Sequence, residues 1–278
     1  MTAREQARFW EHPDLPGVDL LRARYVRHTF SRHVHDSYVI AAVTGGVQGT
    51  GLPAGAELVG AGGVVLVNPE VPHTAYAGAA GGWSYRVLYP SADVVSAVAA
   101  ETRGLRGTPS FTVPVAADPA AARLVSAVHE AAERDDALAA ETFLRLVVAR
   151  LLARHSADAV RRGPGRAEAP AAAARARDLL AANLIDPPGL DALAAATGTG
   201  PFALLRAFKA AYGLPPHAWL TGERVRTARR LLDAGAAPAD AAAAVGFTDQ
   251  PHLNRHFNRI IGVPPGAYQR DRKAVRAR

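Results

Sequence analysis

Between Tyr25 and Tyr89 the apolar residues come in short runs rich in β-branched and aromatic side chains: Tyr38-Val39-Ile40, Val64-Val65-Leu66-Val67 and Tyr85-Arg86-Val87-Leu88-Tyr89. Glycine-rich breaks, Thr44-Gly45-Gly46 and Gly60-Ala61-Gly62-Gly63, separate them. That texture predicts a small antiparallel β-barrel or sandwich. The period changes at Asp118-Pro119, an N-cap residue with proline at the first helical position. Beyond it Leu124, Val128 and Ala131 share one helical face, and Phe143, Leu144, Val147, Val148, Leu151 and Leu152 make a broad apolar stripe on a second helix. Such a stripe packs on its own domain or against a second copy of the chain. The stretch from Arg161 to Pro170 has no periodicity and is interrupted by Gly163, Pro164 and Gly165, which marks a linker. The expected organisation is α+β: a β-rich domain closed by helices over 1–156, a linker over 157–170, and an all-α domain over 171–278.

The helical half repeats itself. Shifted by 49 positions, LAAATGTGPFALLRAFKAAYGLPPHAW (193–219) falls on AAAVGFTDQPHLNRHFNRIIGVPPGAY with ten identities in 27 positions. These include Leu204/Leu253, Arg206/Arg255, Phe208/Phe257, Gly213/Gly262 and both prolines that follow. Matches of arginine, phenylalanine and Pro-Pro in one register indicate duplication rather than alanine bias. Each unit reads as a helix-turn-helix. A short apolar helix (Leu190 to Ala196, Ala239 to Val245) precedes a small polar turn and a second helix that starts near Pro201 or Gln250. Leu204 and Phe208, with Leu253, Phe257 and Ile260/Ile261 in the copy, point inward; Gly213 and Gly262 end the helices as left-handed caps. An amphipathic helix from Ala218 to Ala234 joins the copies, with Arg224, Arg226, Arg229 and Arg230 expected outward.

Charge and composition sharpen this reading. The 278 residues carry 32 Lys+Arg against 25 Asp+Glu, but the two signs balance over residues 1–169, so the whole excess of +7 lies in 170–278. A basic helical domain beside a neutral one points to a polyanionic partner. The absence of cysteine excludes disulfides, Cys-ligated zinc, iron–sulfur clusters and thiol nucleophiles. The N-terminal residues show no apolar signal core and no apolar run approaches a membrane span, so a soluble, cytoplasmic protein with no membrane partner is expected.

The exposed faces of the second helices carry DNA-reading chemistry: Phe202, Arg206 and Lys209 in the first copy, and Gln250, Pro251, His252, Asn254 and Arg255 in the second. Arginine donates two hydrogen bonds to guanine O6 and N7, Gln and Asn read adenine, and an aromatic ring covers a thymine methyl. Two units joined by one helix address one face of a duplex, about 34 Å apart. Residues 172–272 resemble the C-terminal DNA-binding domain of the AraC/XylS-type bacterial transcription regulators, most closely in the string from Gly246 to Arg259 and in Gly262-Val263-Pro264-Pro265-Gly266-Ala267-Tyr268. The resemblance implies that Phe202, Arg206, Gln250, Pro251 and Arg255 approach bases. Gly200-Pro201 replaces the polar N-cap usual in that family and Leu205 replaces a polar base reader, so the first helix is expected to read fewer bases.

The N-terminal half resembles the cupin-like ligand-sensing domain of such regulators, a double-stranded β-helix, in Arg32-His33-Val34-His35-Asp36-Ser37-Tyr38 and in Gly63 through His73. Strand alternation would put His33 and His35 on one face. The first motif lacks its glutamate and the second has shifted spacing, so His33, His35, Tyr38, Glu70, His73 and Tyr76 are expected to line an effector pocket, with no metal or cofactor. The resemblance implies a transcription regulator, an activator in type, controlled by a small-molecule effector. Its implied partners are promoter DNA, RNA polymerase and a second copy of the chain. A metal-dependent cupin enzyme with a basic appendage, or a non-specific nucleic-acid binder, are the alternatives; no catalytic Ser/His/Asp, phosphate-binding loop or carboxylate pair is present.

Overall fold

A computed structural model describes residues 5–103, 107–156 and 171–276; the linker expected at 157–170 lies outside them. Backbone contacts divide the chain into two compact units, residues 1–29 with 34–163 and 270–278, and residues 30–33 with 164–269.

The first unit is an antiparallel sheet backed by helices. Its strands are β1 (Gln6–Glu11), β2 (Val18–Tyr25), β3 (Val39–Leu52), β4 (Gly55–Gly60), β5 (Val64–Val67), β6 (Thr74–Ala77), β7 (Trp83–Pro90) and β8 (Val115–Ala116), in the order β1-β2-β7-β3-β5-β8. The long β3 serves twice. Its first part pairs with β5 and β7, and its second with β4 and β6. Thr44-Gly45-Gly46, expected as a turn, is a bulge inside β3, where register shifts against β7. Gly46 sits there at φ 69°, and a Cβ on it would lie 2.1 Å from the Gly82 carbonyl oxygen, so glycine is required.

Alternation gives the sheet two unlike faces. Trp10, Leu20, Ile40, Leu66 and Leu88 pack against helices α1 (Ala92–Arg103), α2 (Pro119–Glu133) and α3 (Ala137–His155). The other face is aromatic: Phe9 meets Tyr89 at 5.7 Å between ring centroids, and Tyr25 meets Trp83 at 5.3 Å and Tyr85 at 6.1 Å. The stripe on α3 is buried within this unit, through Leu144, Val147, Val148, Leu151 and Leu152. Asp118 caps α2 as expected, accepting from Ala121 N at 3.0 Å. Arg150 also donates to both its carboxylate oxygens. Burial alone would raise the Asp118 pKa, but Arg150, the Ala121 amide and His155 together hold it at about 2.

The second unit is helical: α4 (Ala171–Ala182), α5 (Leu190–Thr197), α6 (Pro201–Tyr212), α7 (Pro216–Asp233), α8 (Pro238–Ala244), α9 (Gln250–Ile261) and the start of α10 (Pro265–Arg276), whose residues from Arg270 onward are grouped with the first unit. Leu204 and Phe208 from α6 are buried with Ala173, Ala176 and Leu180 from α4, Leu193 from α5 and Leu220 from α7. In the copy Leu253, Phe257, Ile260 and Ile261 are buried on α9, and Phe257 meets Tyr268 edge-on at 5.4 Å. Among the described residues no helix is long and apolar enough to cross a membrane.

Candidate nucleic-acid interface and ligand-binding unit

The second helices of the two motifs, α6 and α9, start 49 residues apart, have 12 residues each and end in left-handed glycines, Gly213 at φ 67° and Gly262 at φ 89°. Between inward rows of Leu and Phe, each leaves an arginine exposed at the same turn, Arg206 and Arg255. Lys209 is exposed beside the first, and Gln250 and Pro251 are exposed at the start of α9. Phe202 lies on α6, but its side chain is outside the described residues. His252 and Asn254 are half-buried. The His252 ring stands edge-on to Phe247 at 5.1 Å with Nδ1 3.3 Å from Thr248 Oγ1, and the Asn254 amide oxygen is shut away from solvent.

The copies part company in the turn. In the first, α5 ends at Thr197 and the left-handed residue is Gly198; in the second, α8 ends at Ala244 and the left-handed residue is Gly246. The first helices are therefore related by 48 positions, not 49. Their buried residues agree with that shift, since Leu193, Ala194 and Thr197 correspond to Ala241, Ala242 and Val245. The ungapped repeat holds for α6 and α9 but slips by one before them, because the second turn carries one extra residue. Phe247, 5% exposed, fills that turn and stacks on His256 at 5.7 Å. A Cβ on Gly246 would lie 2.7 Å from both Ile185 Cα and Leu184 O, so this turn is packed against the chain after α4. The N-caps differ as well: Asp249 accepts from His252 N at 2.6 Å, whereas Gly200 offers no side-chain cap.

Two linker-helix arginines expected outward hold the unit together instead. Arg224 Nε donates to Leu184 O at 2.8 Å, and Arg229 Nε donates to Tyr268 Oη at 3.0 Å while Tyr268 donates to Asp233 at 2.8 Å. Helical periodicity places a long side chain on a face but not its head group, which here reaches back to backbone and tyrosine oxygens. Arg226 and Arg230 pair with Glu223 on the helix surface. His256 has its pKa lowered, first by burial and then by His252, Arg259, Arg255 and Arg224.

In the first unit His35 lies 5.2 Å from His73 and 5.2 Å from Tyr89, ring to ring, at the aromatic side of the sheet. His73 Nδ1 is 2.9 Å from Val71 O, and Glu70, at φ 62°, donates its amide to His35 O at 2.7 Å. Tyr76 lies on β6 across from Gly49, whose missing side chain makes room for its ring. His33 is counted with the helical unit, its Nδ1 2.6 Å from Ser31 O. Residues 26–38 form no strand, so the expected alternation of His33 and His35 does not apply. Tyr38 is fully buried in the helix-facing core, against Phe111 and hydrogen-bonded to Pro109 O.

Residues 15–148 match the AraC-like ligand binding domain family, and residues 193–271 match a helix-turn-helix domain family. The chain belongs to the AraC-type DNA-binding transcription regulators. It is similar to the uncharacterized HTH-type transcriptional regulator YbfI of Bacillus subtilis (strain 168), 24% identical over 85% of this chain and 86% of that one. It is also similar to the HTH-type transcriptional regulator MtrA of Neisseria gonorrhoeae, 31% identical over 32% of this chain and 31% of that one. Two structures share its fold. ToxT from Vibrio cholerae O395 superposes with a TM-score of 0.53 at 10% identity, over 96% of this chain and 97% of that one. Unsaturated fatty acid-bound wild-type ToxT from strain SCE256 gives 0.54 at 13%, over 98% and 96%. The matched proteins are transcription regulators and not enzymes, which removes the cupin-enzyme alternative. An AraC-type regulator thus combines here a ligand-binding sheet unit and a DNA-binding helical unit.

Proposed function

We propose that this regulator reads promoter DNA with α6 and α9 and is controlled by a small molecule held in its sheet unit. The observation that carries the DNA reading is the matched exposure of Arg206 and Arg255 at one turn of two duplicated helices. From that turn a guanidinium can donate to guanine O6 and N7 in the major groove. Lys209 and Gln250 flank the arginines with further donors, and Pro251 and Phe202 add apolar contact to bases. His252 and Asn254 act at the edge of the α9 surface, because both are drawn toward the turn. Helix N-termini and the surface arginines of α7 bind phosphates and set the register.

The effector half of the proposal places the ligand at the aromatic side of the sheet, against His35 and His73 with Glu70 and Tyr76 nearby; Tyr38, buried in the helix-facing core, drops out of the set expected from the sequence. The ligand-binding-domain match and the fatty acid carried by the ToxT structure support control by a small molecule. Such a regulator acts in the cytoplasm, contacts RNA polymerase and works as a pair of chains. A ligand shifts it only through unequal affinity for two arrangements of the protein.

The test is a gel-shift titration at physiological salt, comparing DNA upstream of the protein's own and adjacent genes with random DNA of equal length. A preference of about 10³-fold or more is the expected result. Equal binding with a steep salt dependence would identify a non-specific nucleic-acid binder and overturn the proposal.

A further inference from the structure

On the helix-facing side of the sheet, the alternation that carries Trp10, Leu20 and Leu88 into the core brings arginine next along three strands. Arg8 on β1 is paired with Arg22 on β2, and Arg22 with Arg86 on β7, so three arginines stand in register across neighbouring strands. Arg24 lies two residues beyond Arg22, between Gln6 and Ser84. Like charges directly opposite have Cβ atoms about 4.5–5.5 Å apart and destabilise the sheet. A ladder of this kind opposes folding unless something negative answers it.

The fold answers it only in part. Arg86 Nη1 pairs with Glu130 of α2 at 2.7 Å and donates to Ser126 O at 2.9 Å, and Arg22 pairs with Glu133 at 2.8 Å. Arg24 makes two long contacts, to Ser84 Oγ at 3.5 Å and Gly81 O at 3.4 Å. The Arg8 guanidinium lies 4.6 Å from the Trp10 ring centroid. All four line a cavity of about 610 Å³ between the sheet and α2, whose lining contains one carboxylate, Glu130. Small-molecule sites span about 300–1,000 Å³. The positive field is felt next door. His129 on α2 is fully buried, and its pKa falls to about 3, first through burial and then through Arg86 and Arg22.

We infer that this cleft binds a small-molecule dianion bearing carboxylate or phosphate groups. The guanidinium fork matches both groups with paired hydrogen bonds, and Thr44 and Ser84 add neutral donors from the sheet. The cleft lies on the side of the sheet away from His35 and His73, so this assignment stands apart from the effector face and from DNA reading.

Isothermal titration of the full-length protein with succinate and with inorganic phosphate, at ionic strength held constant with sodium chloride, tests it. Saturable binding of one probe per chain is expected, and the stronger probe separates a carboxylate from a phosphate ligand. Arg22→Gln and Arg24→Gln should each weaken it at least tenfold. Arg24 holds only long contacts, so that variant keeps the fold in hand. Arg123→Gln, an exposed arginine of α2 outside the cavity, should leave it unchanged. No saturable binding of either probe, unchanged affinity in the Arg22 and Arg24 variants, or an equal loss in Arg123→Gln would overturn the inference. None of these outcomes touches the gel-shift result, which needs no anion.

Discussion

Where the first helix-turn-helix closes its turn with Gly198, which has open space around its Cα, the second inserts Phe247 and brings Gly246 against the backbone of residues 184 and 185. The first recognition helix starts without a side-chain cap, and the second starts from Asp249. The inward Leu and Phe rows are the same in both. Duplication thus preserved the core that orients the exposed arginines, while divergence gathered in the turn. There the second copy gained a ring, a cap and two half-buried histidines. One arginine position serves two differently braced helices.

The shared core is tested by the largest expected effect. Phe208→Ala and Phe257→Ala should each cost about 3–5 kcal/mol of stability in urea unfolding, and a cost confined to one copy would break the equivalence. The turns should then separate. Gly246→Ala combines a left-handed φ with a backbone clash and should cost about 2–4 kcal/mol. Gly198→Ala, with open space around it, should cost about 1 kcal/mol. On DNA, Arg255→Ala should lose about 1–3 kcal/mol on specific sites and relax preference at one base position. Arg206→Ala should lose less, and equal losses on specific and random DNA would remove Arg255 as a base reader. Asp249→Ala should cost about 1 kcal/mol, whereas Gly200→Ser should gain a few tenths.

The smallest effect is one of pH. The folded environment lowers the pKa of His256 below its ordinary value near 6.5, so the unfolded chain takes up the proton first. The stability involved is fully present above that value and is lost as pH falls through the folded pKa. α6 carries no histidine, so mild acid should loosen hydrogen exchange around α9 before α6, and His256→Gln should abolish the difference.

Which parts were legible in the sequence follows from how local their causes are. The caps at Gly213, Gly262 and Asp118, the inward Leu and Phe rows, and the exposure of Arg206 and Arg255 depend on neighbours within a helical turn, and the pattern carries them. The Thr44-Gly45-Gly46 break shows the limit. Glycines that signal a turn to a local reading serve in the tertiary structure to let β3 bend past Gly82. The helical spacing of Val95, Val98 and Ala99 in α1 does not stand out from the β texture that runs directly into it.

The amino-acid sequence by itself determined the two-unit organisation, the duplicated helix-turn-helix and the family, because periodicity, capping residues and in-register identities are properties of the linear chain. Tertiary structure alone decided the rest. It sent Arg224 and Arg229 to carbonyl and tyrosine oxygens, slipped the first helices of the repeat by one residue around Phe247, and set Tyr38 in the core. It also lined up Arg8, Arg22 and Arg86, which stand far apart in the chain and become neighbours only when β1, β2 and β7 pair. A side chain's local pattern chooses its face; what its head group meets depends on strands and helices that the chain brings back from a distance.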